Sequence, residues 1–100
     1  MSGIETGLCF AFLVGGRPDE ALPWAQKALQ EKPTYGAALR GLIMALVELG
    51  RLEEARVVGQ RLLAQDPKQT ITLADRQHAQ RDPQFRKRLF AALKTAGIPE

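Results

Sequence analysis

The chain has 100 residues, enough for one small domain with a single core. Hydrophobic residues make up 45% and charged residues 25%, a globular balance that argues against disorder. Net charge is +3, and all of the basic excess lies in the second half: residues 1–50 carry four Lys/Arg against five Asp/Glu, residues 51–100 ten against six. No aromatic stacking platform accompanies that charge, so nucleic acid is a disfavoured partner and the cations read as the coat of solvated helix faces.

The first predicted helix covers 3–14. Ile4, Leu8, Cys9, Phe10, Ala11, Phe12, Leu13 and Val14 place apolar groups all around it, and a helix apolar on every side is normally buried. Its apolar run, 8–14, is too short to span a bilayer, and no Lys or Arg precedes it as a signal peptide would require. Gly16 ends this helix, and Pro18, Asp19 and Glu20 open the next over 18–31, with proline and acidic side chains at its positive end. Pro23 lies near enough to that start to be an irregularity rather than a break. Pro33 closes the second helix. The third, 35–49, spaces Leu39, Leu42, Ile43, Leu46 and Leu49 at intervals of three and four. Gly50 ends it. The fourth, 52–65, begins with Glu53 and Glu54 and buries Ala55, Val58 and Leu62, with Leu63 on a neighbouring stripe. A short helix over 71–79 has Thr70 as a candidate N-cap. The last, 83–96, starts at Asp82-Pro83 and carries Phe85, Leu89, Ala92, Leu93 and Ala96 on one stripe, with Gly97 as its stop. Arg86, Lys87, Arg88 and Lys94 fall mostly on its other faces.

Shifted by 34 residues, the sequence matches itself. Gly16-Arg17 returns as Gly50-Arg51, Asp19-Glu20-Ala21 as Glu53-Glu54-Ala55, Pro33 as Pro67, Gly7 as Gly41, Leu8 as Leu42 and Leu29 as Leu63. With this period and these landmarks, residues 2–69 resemble the tetratricopeptide repeat family. Small-residue and proline sites of that family fall on Gly16, Ala21, Ala28 and Pro33, then on Gly50, Ala55 and Pro67. Its large apolar sites fall on Leu8 and Phe12, then on Leu39, Leu42 and Leu46. Departures from the family pattern are Glu5 at a first-helix aromatic site, Ala25 and Gly59 at the large aromatic of the second helix, and Leu62 at a later alanine.

The resemblance implies an all-α fold: antiparallel helix pairs in a right-handed superhelix, with repeats at 2–35 and 36–69 and capping helices over 70–100 of one domain. Residues 81–100 also resemble the C-terminal ends of bacterial signalling proteins of the adenylate or guanylate cyclase type that carry a tetratricopeptide tail. No cyclase activity transfers, because no cyclase domain fits in this chain. An array is expected to need about three repeats, so the first helix awaits a cover: a second copy of the chain, an upstream repeat or a bound partner.

In the family, first helices of successive units line a concave groove that binds peptides or proteins. Matching repeat positions puts that partner site on Thr6, Phe10, Leu13, Ala37, Arg40, Met44 and Val47. Phe10 and Met44 could take an apolar anchor, and Arg40 a carboxylate. Phe10, Leu13 and Val47 read equally well as core or self-association contacts. The subset of the family that clamps acidic chaperone tails uses Lys and Asn where Thr6 and Phe10 stand here, which argues against that kind of partner.

Catalysis finds no footing. Cys9 lies in an apolar run, as a buried and inert thiol does, and His78 stands in a polar stretch between Arg76 and Arg81. One Cys and one His cannot supply a structural zinc site, and Gly15-Gly16 lacks the Lys-Ser/Thr of a phosphate loop. The expectation is a non-enzymatic, cofactor-free interaction module. A single cysteine, which allows no internal disulfide, suits the cytoplasm.

Overall fold

The computed structural model describes residues 2–33, 36–65 and 83–98. Five helices occupy them: α1 (Ser2–Val14), α2 (Pro18–Glu31), α3 (Gly36–Glu48), α4 (Leu52–Gln65) and α5 (Pro83–Thr95). All lie within two residues of the ends read from periodicity. The expected helix at 71–79, its cap Thr70, and His78 lie outside the described residues.

The helix ends follow from local chemistry. Gly16, Gly50 and Gly97 have φ of 75°, 80° and 92°, a region that glycine enters with little strain. Each closes the same turn. Gly16 and Arg17 donate to the carbonyls of Leu13 and Phe12, Gly50 and Arg51 to Val47 and Leu46, Gly97 and Ile98 to Lys94 and Leu93. These paired bonds satisfy carbonyls that the last helical turn leaves open. Acidic pairs sit in the first turns of α2 and α4, Arg17 pairs with Glu20 at 3.1 Å, and Arg51 repeats the pairing with Glu54. Pro23 leaves α2 unbroken.

Adjacent helices pack in sequence order, α1 on α2, α2 on α3 and α3 on α4, while α3 also reaches back to α1. Alanines at the crossings, Ala21, Ala25, Ala28, Ala38, Ala45 and Ala55, are fully enclosed and let the helices approach closely. Larger core side chains, Leu13, Leu39, Ile43, Met44 and Leu62, fill the spaces between, each contributing about 1.5–3 kcal/mol by leaving water. α5 then folds back against α3 and α4. Phe85, Leu89, Ala92 and Leu93 on its inner stripe are all buried, followed by Ala96 and Ile98.

Gly59 shows how close that return is. A Cβ placed on it would lie 2.4 Å from the carbonyl oxygen of Ala96. At the place where the resemblance leads one to look for a large aromatic, this chain has an empty notch for the backbone after α5.

Two glycines therefore predict opposite responses to one substitution. Gly59→Ala should cost about 2 kcal/mol or more in urea denaturation, the backbone clash outweighing the gain in helix propensity. Gly7, whose Cβ would meet nothing within 4 Å, should gain roughly 0.5–1 kcal/mol as Gly7→Ala in the same assay.

Candidate functional site

The seven residues assigned to a partner groove do come together, on α1 and α3, but they do not line an open groove. Thr6, Leu13, Arg40 and Met44 are buried, and Phe10, Ala37 and Val47 are half-buried. α5 packs on α3 and meets Phe10 and the Leu13 carbonyl. It crosses the face that the resemblance reserves for a ligand, and the expectation of exposed groove positions is corrected accordingly. Met44, read as an adaptable surface anchor, is fully enclosed in the core. Arg40, read as a groove cation that could take a carboxylate, is buried, with its Nη1 3.4 Å from where a Cβ on Gly36 would stand.

Two contacts fix α5 across the groove. The first is aromatic: Phe85 meets Phe10 edge to face, ring centroids 6.3 Å apart and planes at 73°. The second is the Arg88 guanidinium. Its Nε donates to Glu48 Oε2 at 2.7 Å and its Nη2 to Glu48 Oε1 at 2.6 Å, a two-pronged pairing. Nη2 also donates to the Leu13 carbonyl at 2.8 Å. Glu48 is the last residue of α3, and Leu13 lies in the last turn of α1. A single cation thus sits at the C-terminal ends of two helices, where their dipoles favour positive charge. The guanidinium carbon also lies 5.8 Å from the Phe85 ring centre, over the ring.

The sequence places Arg88, with Arg86, Lys87 and Lys94, mostly away from the apolar stripe. Instead it turns inward and is two-thirds buried. Its position was legible in part, since Arg88 precedes Leu89 at the edge of the apolar stripe. Its partner was not, because Glu48 is 40 residues away.

Cys9 is buried in the core, and this burial pushes its thiol up to about 12. Its Sγ lies 3.0 Å from where a Cβ on Gly41 would stand, so the missing side chain of Gly41 makes room for it. Among the described residues there is no group of three His, Cys, Asp or Glu side chains arranged to hold a metal ion. No described helix is long and apolar enough to cross a membrane.

A family model described as tetratricopeptide repeat matches residues 15–95. No curated protein and no solved structure matches the chain significantly.

Arg88→Ala should destabilise the chain by about 2 kcal/mol, and a double-mutant cycle with Glu48→Ala should return most of that as coupling. Arg88→Lys should recover only part, since lysine keeps the charge and loses the fork. Cys9 should resist iodoacetamide at pH 9 in the native chain and react once urea unfolds it. The raised thiol value also sets a pH window. In the unfolded chain the thiol ionises from its ordinary value of 9.0, while the folded chain holds the proton to about 12. The stability contributed by the neutral thiol is therefore complete below the ordinary value and is lost progressively as pH rises toward 12. A urea midpoint that stays level across this alkaline range in wild type, as in Cys9→Ala, would contradict it.

Proposed function

The chain belongs to the tetratricopeptide repeat family, and from that premise we propose that it is a non-catalytic protein-binding module whose α1–α3 groove receives an amphipathic helix. Members of the family typically serve as interaction modules, binding proteins or peptides. The groove in question is that of Thr6, Phe10, Leu13, Ala37, Arg40, Met44 and Val47. The observation that carries the reading is the seat of α5. An amphipathic helix lies on this face with an aromatic against Phe10 and a forked cation against Glu48. A groove that holds such a helix from its own chain has the shape and charge to hold one from another protein, by the helix-in-groove mode of recognition. A partner helix would carry an aromatic, then an arginine three residues on, then a leucine, in the order of Phe85, Arg88 and Leu89. Carboxylate-tail ligands fit less well, because Glu48 presents a carboxylate of its own.

A second reading, association through the first helix, is favoured by the exposure of Ile4, Leu8 and Val14.

The groove reading is tested with a labelled peptide of residues 83–98 and fluorescence anisotropy. Wild-type chain, with its own α5 seated, should bind the peptide weakly. The Arg88→Glu chain, whose own helix is repelled by Glu48, should bind it roughly tenfold more tightly or better. A peptide carrying Arg88→Glu should bind neither. Equal, weak binding of the unaltered peptide to both folded chains would count against the groove as a helix-receiving site.

A further inference from the structure

α1 and α3 hold equivalent places in the repeat, 34 residues apart, yet one stripe of α1 faces solvent where α3 is covered. On α1, Ile4 is 60% exposed and Leu8 37%, and Gly7 and Ala11 are exposed beside them. On α3 the matching residues are Ala38 at 0%, Leu42 at 7% and Ala45 at 0%, with Gly41 buried between them. Three of the four matched pairs are identical: Gly7 with Gly41, Leu8 with Leu42, Ala11 with Ala45. The stripe carries no charge. It spans about two turns of helix, so it is a continuous apolar surface rather than scattered exposed residues.

What covers the α3 stripe is the α1–α2 hairpin. α3 packs against both of those helices. A Cβ on Gly41 would lie 3.0 Å from Cys9 Sγ and 3.4 Å from the Phe10 ring of α1, and Leu42 borders a groove shared with Gln26 of α2. We propose that the outer stripe of α1, formed by Ile4, Gly7, Leu8 and Ala11, is a docking surface for a tetratricopeptide-type helix hairpin supplied by another repeat, seated on α1 as the α1–α2 hairpin is seated on α3.

A folded second copy of this chain cannot supply that hairpin. The α2 residues Ala25 and Ala28 are already enclosed in its core. The matching face of α4, at Gly59 and Leu62, is closed by the backbone of Ala96 and by burial in the core. The occupant is therefore a hairpin whose second helix has a free face of small residues, in the pattern of Ala25, Ala28 and Leu29. Ile4 is the one mismatch with the α3 stripe, and it asks for a smaller residue opposite it. This surface is separate from the groove, and the inference stands or falls independently of what the groove binds.

The test supplies the hairpin. Residues 2–35 are duplicated directly ahead of Ser2 on the full chain, which keeps the 34-residue register. The duplicated α2 then meets α1. In the tandem chain, amides of the original α1 should exchange with deuterium about tenfold more slowly or better, and the melting midpoint should rise by about 5 °C, because each repeat interface adds its own term. Gly7→Gln in the original α1 should abolish both gains. In the single chain it should leave the melting midpoint no lower, since a side chain at Gly7 meets nothing within 4 Å. Ile4→Ala, which makes all four positions match α3, should preserve or enlarge the gains. Unchanged exchange and midpoint in the tandem chain, with and without Ile4→Ala, would overturn the proposal. So would light scattering that finds the single chain dimeric and Gly7→Gln monomeric, because a second copy would then be the occupant.

Discussion

The pairing of Arg88 with Glu48 and the Leu13 carbonyl is the contact on which the arrangement of the groove depends. A guanidinium brought two-thirds out of water loses hydration that only several good acceptors offset. Here it gains three bonds between 2.6 and 2.8 Å, all at the C-terminal ends of α1 and α3. Those helix ends are negative by their dipoles, and Glu48 adds a full charge to one of them. The same side chain therefore ties the last helix to both first helices of the repeats. Remove it, and the hydrophobic stripe of α5 still has a surface to cover, but nothing directional sets its register along the groove.

Register matters because the remaining contacts are steric and tolerate little sliding. Phe85 meets Phe10 edge to face. Ala96 needs the notch at Gly59, where even one methyl group would collide with a backbone oxygen. Arg88 sits midway along the helix and the Gly59 notch takes the backbone just past its end, on different partner helices, and together they fix both its position and its direction. The glycine is thus more than a weak point in α4. It trades helix propensity for a close approach that a side chain at that place would forbid.

The fold was legible because it rests on short-range signals. Gly16, Gly50 and Gly97 mark helix ends through backbone conformation, and Pro18 and the acidic pairs mark starts; each acts within a turn of itself. The stripe of Phe85, Leu89, Ala92 and Leu93 was legible for the same reason. The groove was legible as a set of residues and illegible as an environment. Thr6, Phe10, Leu13, Ala37, Arg40, Met44 and Val47 do gather on α1 and α3, but Phe10 and the Leu13 carbonyl are met by a helix that begins at residue 83. Nothing within a turn of Met44 announces that it is enclosed. Arg88 fails by the same logic in reverse: beside Lys87 it reads as surface charge, and only the distant Glu48 distinguishes the two. Gly59 read as a departure from the repeat pattern because the backbone that needs it lies 37 residues downstream.

Leu8 and Leu42 carry this point furthest. They are the same residue, at the same repeat position, each with a glycine before it and an alanine three residues after. Local propensity cannot tell them apart, and yet one is 37% exposed and the other 7%. The difference is made entirely by what is stacked beside each helix. In a repeat protein, stability is close to a sum of unit terms and nearest-neighbour interfaces. A helix with one face left open keeps its own structure, and the apolar face of α1 has the form that α3 presents to its own neighbours. The geometry that would satisfy such a face is displayed one repeat further along the same chain, where the α1–α2 hairpin covers Gly41 and Leu42.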